Sequence, residues 1–169
     1  YYNLNDYTNA STTLTKALQQ GVKSQELYTM LGMSFVKLGN SKSAIPHLTS
    51  AVSAGDESKE THEALGLARY ENKDYKGAVT ALDKAVEKGA TGMNVYLSRG
   101  NANYILKNEE AAKPDLEKAV SMGADDFSAF YALGNMAYKA GAYDAAIAQY
   151  NKAIAKGTDD PIVYNNRGK

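Results

Sequence analysis

The side chains able to do chemistry in this 169-residue chain are few in kind and scattered in position. There is no cysteine, so disulfides and thiolate metal sites are excluded. The two histidines, His47 and His62, are isolated and lack metal-ligand spacing. No nucleophile motif and no phosphate-binding glycine loop occur. No catalytic residue, cofactor site or metal site is therefore expected. What remains are groups suited to holding another molecule. Glu60, Glu63, Leu67 and Tyr70 fall on one helical face, with Glu71 beside it. Asn94, Leu97, Asn101 and Tyr104 share a second such face, and Ser128, Tyr131, Asn135 and Tyr138 a third. Amides can pair with a peptide backbone, and tyrosine supplies flat apolar area with a polar tip. Carboxylates steer and orient a basic partner.

Composition narrows the partner. Nineteen basic residues balance nineteen acidic ones, without a basic stripe, which argues against nucleic acid. No apolar run approaches 18 residues, so no membrane span is expected. At 44% hydrophobic residues the chain can bury a substantial core. The absence of cysteine suits either redox compartment. Together with many Tyr, Asn, Ser and Thr residues it suggests a bacterial extracytoplasmic protein, with the compartment left open.

The elements that must position these groups are set by a 34-residue period. Gly32, Gly66, Gly100 and Gly134 form one series, continued by Gly168; Ala44, Ala78, Ala112 and Ala146 form a second. Ala51, Ala85, Ala119 and Ala153 form a third, and Gly21, Gly55, Gly89, Gly123 and Gly157 a fourth. The whole of 1–169 reads as a single repeat domain. Its complete units are 25–58, 59–92, 93–126 and 127–160, preceded by a partial unit at 1–24 and followed by the start of another at 161–169. Each unit reads as two helices. In the last, Phe130, Leu133, Ala137 and Tyr138 mark the first, and Ala146, Ile147, Tyr150, Ala153 and Ile154 the second. Breaks are expected near 39–41, 73–74, 107–108 and 141–142. Ser58, Asp126 and Asp160 stand at N-cap places, the last before Pro161. Small residues permit two antiparallel helices to cross closely. The large series Tyr28, Tyr96, Phe130 and Tyr164, with His62 as the exception, would fill space between neighbouring helices. Pro46 and Pro114 are expected in the first turns of second helices starting near Ser43 and Ala111.

Three arginines depart from the pattern. Arg99 and Arg167 stand before Gly100 and Gly168, where an apolar residue is expected. A half-buried Arg99 needs a partner, and Asp115 on the same unit's second helix is the candidate for a structural ion pair. Arg69 also sits at an apolar or aromatic place, and the sequence offers no partner for it. Both ends cut through a repeat. Apolar surface at Ala10, Leu14 and Leu18, and at Ile162 and Tyr164, is then expected to be covered by neighbouring repeats or copies of the chain.

The unit length, and the run of an aromatic, Leu-Gly, Ala, an aromatic or Leu, and Ala, resemble the tetratricopeptide repeat family over the whole chain. Residues 127–160 match best, through Phe130, Leu133-Gly134, Gly141, Tyr143, Ala146, Tyr150 and Ala153. The family's proline near the unit's end is missing. The resemblance implies an all-α, right-handed solenoid of stacked antiparallel helix pairs, first helices lining the inner, concave face. It also implies a protein–protein interaction scaffold that binds a peptide or partner protein there, rather than an enzyme. The expected site is Glu60, Glu63, Leu67, Tyr70, Asn94, Leu97, Asn101, Tyr104, Ser128, Tyr131, Asn135 and Tyr138, with Tyr2 in the tyrosine row and Glu26 and Glu57 near the acidic group. Tyrosines and asparagines at these places are also common family background, so ligand contact and structural background both remain open. The basic clamp by which some relatives hold a C-terminal carboxylate is absent. Its places carry Glu26, Thr29, Met30, Glu60, Glu63 and Ser98. A docking or regulatory domain of a larger enzyme or envelope protein, or a spacer in a longer array, are the alternative functions.

Overall fold

A computed structural model describes residues 6–157 and 161–168, with no account of the side chains of 161 and 162. Tyr1, Tyr2, Asp160 and Lys169, and the side chains of Pro161 and Ile162, lie outside the described residues. The helices run α1 (Tyr7–Gln19), α2 (Gln25–Lys37), α3 (Ser41–Ser53), α4 (Lys59–Glu71), α5 (Tyr75–Glu87), α6 (Met93–Ile105), α7 (Glu109–Ser121), α8 (Phe127–Lys139), α9 (Tyr143–Ala155) and α10 (Pro161–Arg167). No strand occurs among the described residues. The breaks fall where the period places them. Second helices end on glycines in the left-handed region, such as Gly55 at φ 100°. At the ends of first helices the same conformation is held by Gly39 and Gly141, but also by Lys73 (φ 64°) and Lys107 (φ 67°).

The chain divides into two compact units, the first through Thr91 and the second from Gly92. In unit 1, α3 packs between α2 and α4, and α5 against α4. Its core centres on Ala44, Leu48, Ala64, Leu65 and Ala81. In unit 2, α6 pairs with α7 and α8 with α9, and α10 closes on α9. Its two clusters centre on Leu116, Ala132 and Leu133, and on Phe130, Tyr150 and Val163.

The glycine series marks the helix crossings. A Cβ at Gly32, Gly66, Gly100 or Gly134 would stand 2.6, 2.5, 2.8 or 2.7 Å from Leu48, Leu82, Leu116 or Tyr150. Those four facing side chains are all fully buried. Gly66→Ala is therefore expected to destabilise unit 1 by about 1–3 kcal/mol through overpacking, despite alanine's better helix propensity. Urea unfolding measures it. A stabilised variant would mean that Leu82 relaxes without cost.

The prolines are a correction. α3 begins at Ser41 and α7 at Glu109, so Pro46 and Pro114 fall in the second turn, not the first. The carbonyls four residues before them, on Lys42 and Glu110, lose their helical donor. Lys42, Glu110 and both prolines are exposed, so the unbonded carbonyls lie on the solvent side of their helices, where losing a helical bond costs least. The large series fills space only in part: Phe130 and His62 are buried, Tyr28 and Tyr96 half-buried, and Tyr164 is 43% exposed. Ala10, expected as uncovered apolar surface, is buried, and Leu14 and Leu18 are half-buried.

Candidate functional site

In unit 2 the first helices α6 and α8 lie side by side, and their polar face is tied together by side-chain bonds. Nδ2 of Asn101 donates to Ser128 Oγ at 2.6 Å. Ser128 is held in turn by Asp126, the N-cap of α8. Nδ2 of Asn135 donates to the Tyr104 hydroxyl at 2.8 Å, and its Oδ1 accepts from the Tyr150 hydroxyl at 2.8 Å and from Asn166 at 3.3 Å. Asn135 thus joins α6, α8, α9 and α10. Burial pushes both phenols up from their ordinary pKa, against a smaller downward pull from the Asn135 bond on Tyr104 and from Asn166 on Tyr150. Both stay protonated at neutral pH, Tyr104 accepting from Asn135 and Tyr150 donating to it.

The two asparagine places differ in one respect. Tyr150, which satisfies Asn135, is replaced one repeat earlier by Leu116. Oδ1 of Asn101, in a side chain on a residue only 4% exposed, consequently has no hydrogen-bond partner.

The amides of the face are therefore largely committed inside the unit, while its rings are presented. Leu97, Tyr104, Tyr131 and Tyr138 are half-buried. Leu97 and Tyr104 pack on one core cluster and Tyr131 and Tyr138 on the other. Tyr131 stacks on Phe127 at 5.7 Å, and Tyr138 meets Tyr143 edge-on at 5.6 Å. These contacts fix ring orientation at little further entropic cost on binding. Asn94 lies exposed in the first turn of α6.

Unit 1 presents its own face on α4. Glu60 is exposed, and Glu63, Leu67 and Tyr70 are half-buried. Tyr70 meets Tyr75 edge-on at 5.8 Å, in the same register as Tyr138 and Tyr143. Glu60 lies 3.8 Å from Lys59, and Glu71 accepts from Ser41 of α3. Glu57 does not join this acidic group. It pairs with Lys88 at 2.8 Å and lies 3.9 Å from His62, because the loop before α4 turns it toward α5. The Lys88 hydrogen bond and charge hold its carboxyl below the usual range.

The Arg99–Asp115 pair forms as a two-bond fork. Nε reaches Oδ2 at 2.6 Å and Nη2 reaches Oδ1 at 2.7 Å, with the side chains 16% and 8% exposed. Arg167 reaches back to Asn151 at 3.4 Å. Arg69 does have partners. It donates to the Gly77 carbonyl at 3.2 Å and to Thr49 at 3.5 Å, and stands 3.7 Å from Asp74.

One buried charge escaped sequence reasoning. Asp56, 4% exposed in the α3–α4 loop, accepts from Thr61 Oγ1 (2.7 Å), Ser58 Oγ (2.6 Å), Ser58 N–H (3.0 Å) and Thr29 Oγ1 (2.5 Å). Burial alone would push its carboxyl up, but these bonds outweigh it and bring the pKa down to about 2. The signal available was a carboxylate where the next two repeats carry Ala90 and Ala124. Among the described residues no cluster suited to a metal occurs, and no helix is long and apolar enough to cross a membrane.

Comparison with known proteins bears on the fold. The structure resembles that of MamA at 23% identity, covering 91% of this chain and 90% of that one with a TM-score of 0.69. It also resembles YrrB, a TPR protein with an unusual peptide-binding site, at 19% identity, 94% and 82% coverage and a TM-score of 0.71. A third likeness is to the C-terminal part of a TPR repeat-containing protein from Cytophaga hutchinsonii, at 20% identity, 98% and 66% coverage and a TM-score of 0.62. At such identities the likeness shows the fold alone. No curated protein matches the chain in sequence. The tetratricopeptide repeat family pattern, however, matches residues 29–92 and 97–161. With most of its length matched in the same register as its glycine and alanine series, the chain belongs to the tetratricopeptide repeat family.

Proposed function

We propose that the α6–α8 face of unit 2 binds an extended peptide or a partner helix. The tetratricopeptide fold supports a scaffold for protein–protein interaction, and such scaffolds are generally not enzymes. The observation that carries the finer reading is the pairing of Tyr104 with Asn135 across α6 and α8. It fixes the helices in register beneath four half-buried apolar side chains, Leu97, Tyr104, Tyr131 and Tyr138. Preorganised aromatic anchors are the usual source of binding energy at an interface. Because Asn101, Asn135 and Ser128 already bond within the unit, the rings contribute affinity and the amides contribute shape. YrrB is described by its unusual peptide-binding site, and a peptide is the ligand class proposed for this chain too. The separate α4 face of unit 1, with Glu60 and Glu63 beside Leu67 and Tyr70, acts on basic segments through steering.

Peptides selected from a displayed library on the intact chain provide the test. Tyr104→Ala with Tyr138→Ala is expected to raise the dissociation constant about tenfold or more, equivalent to about 1.4 kcal/mol. The Tyr131→Ala, Tyr138→Ala pair, which leaves the Asn135 bond to Tyr104 intact, separates lost contact from lost stability. Glu60→Gln with Glu63→Gln changes mainly association rate and salt dependence in stopped flow. Selected peptides that bind both tyrosine pairs with unchanged affinity would move the site off this face.

A further inference from the structure

The two residues of the second complete repeat that break its register converge on one cleft. His62 stands where other repeats carry Tyr28, Tyr96, Phe130 and Tyr164, and Arg69 where they carry Phe35, Asn103 and Ala137. Both lie on α4 at helical spacing, on the side opposite Glu60, Glu63 and Leu67. Helices α3 and α5 flank that side and close a cleft of about 370 Å³ whose lining includes Thr49, His62, Leu65, Arg69, Thr80 and Lys84.

The cleft holds unanswered polar nitrogens. Nε2 of His62 and Nε of Arg69 are both buried without a hydrogen-bond partner, and His62 is only 5% exposed. Native proteins rarely leave such groups bare. The nearest carboxylates do not answer them: Glu57 stands 3.9 Å from Nε2 and Asp74 3.7 Å from Nε. Those distances are too long for hydrogen bonds. Glu57, which also lines the cleft, already has Lys88 as its cation at 2.8 Å, and the lining Lys84 is paired with Glu87 at 2.7 Å. The guanidinium is held in place by the Gly77 carbonyl and Thr49. Gly77 itself makes the room, since a Cβ there would come within 2.9 Å of Arg69 Cδ.

We propose that this cleft binds a compact oxyanion, a carboxylate or phosphate group, through Arg69 and His62, with the ligand's apolar body against Leu65 and Ala81. The site lies wholly within unit 1 and is independent of the α6–α8 face. Fixed donors over an apolar wall, in a cleft of this size, are the makings of a small-ligand site.

The test is a titration of the isotopically labelled chain with inorganic phosphate and, separately, benzoate, at constant ionic strength. The resonances followed are the Arg69 Nε–H and the His62 imidazole. A saturable shift with a dissociation constant of about 1 mM or tighter is expected for at least one anion. Saturation by phosphate alone assigns a phosphate group, by benzoate alone a carboxylate, and by both the shared chemistry. His62→Tyr and Arg69→Ala place the chain's own residues from neighbouring repeats at these positions. Each is expected to retain the helical circular dichroism and to weaken binding at least tenfold. The proposal is overturned by shifts that rise linearly with both anions, by shifts that sodium chloride reproduces, or by binding that both variants retain.

Discussion

Arg99→Leu is expected to cost about 3 kcal/mol of unfolding free energy, although leucine is what the repeat pattern favours at that place. The reason lies in the residue left behind. Asp115 has a side chain 8% exposed, and both its oxygens are engaged by the guanidinium. Without Arg99 an ionised carboxylate stays buried between α6 and α7 unpaired. The same chain contains the apolar solution. At the places of Arg99 and Asp115, the second complete repeat carries Leu65 and Ala81, both buried. The double variant Arg99→Leu, Asp115→Ala should therefore recover most of the loss, since removing both partners avoids the orphaned charge. Urea denaturation of wild type, both single variants and the double variant gives the coupling energy directly. If Arg99→Leu alone were as stable as wild type, the fork would be a surface-type pair of little consequence.

Asp56→Ala should cost a comparable amount, about 3 kcal/mol, in unit 1. The carboxylate receives four hydrogen bonds, and its removal strands the fully buried Thr61 hydroxyl while loosening the α4 N-cap at Ser58. The charge also makes stability depend on pH. With its pKa depressed from 3.8 to about 2 in the folded chain, Asp56 binds a proton more readily unfolded. Its contribution of roughly 2 kcal/mol is complete above pH about 4 and is lost as pH falls through about 2. Denaturation curves between pH 5 and 2 should therefore converge for wild type and Asp56→Ala as acidity rises. Asp56→Ala combined with Thr61→Val reproduces the Ala90 and Val95 of the following repeat. It should regain stability and lose that share of the acid sensitivity. A wild-type curve parallel to that of the variant throughout this range would remove Asp56 as the source.

The contrast between these two charges shows what the period made legible. Arg99 and Asp115 were paired from the sequence because both lie on helices of one repeat, where the register fixes their distance. The same logic placed the helix breaks, the glycine crossings and the caps at Ser58 and Asp126. Asp56 lies in a loop, and its partners come from α2, from α4 and from the N-cap Ser58, one of them 27 residues away. No periodicity announces such a convergence. The prolines misled for a related reason: pattern locates a helix, but a cap such as Asn40, accepting from Ser43 N–H at 3.0 Å, decides its first turn.

The amino-acid sequence by itself determined the repeat length, the helix pairs, the family and which faces carry tyrosine, amide and carboxylate. Those follow from 3.6-residue periodicity and from side-chain volume at close crossings, both local properties of the chain. Tertiary structure alone decided how polar groups are satisfied. Asn135 is met by Tyr104, Tyr150 and Asn166 from three other helices, Asn101 keeps an unanswered oxygen where Leu116 stands in the place of Tyr150, and His62 and Arg69 share a cleft. A hydrogen bond forms or fails over a few tenths of an ångström and a narrow range of angles, and only the packed arrangement of helices fixes positions that finely.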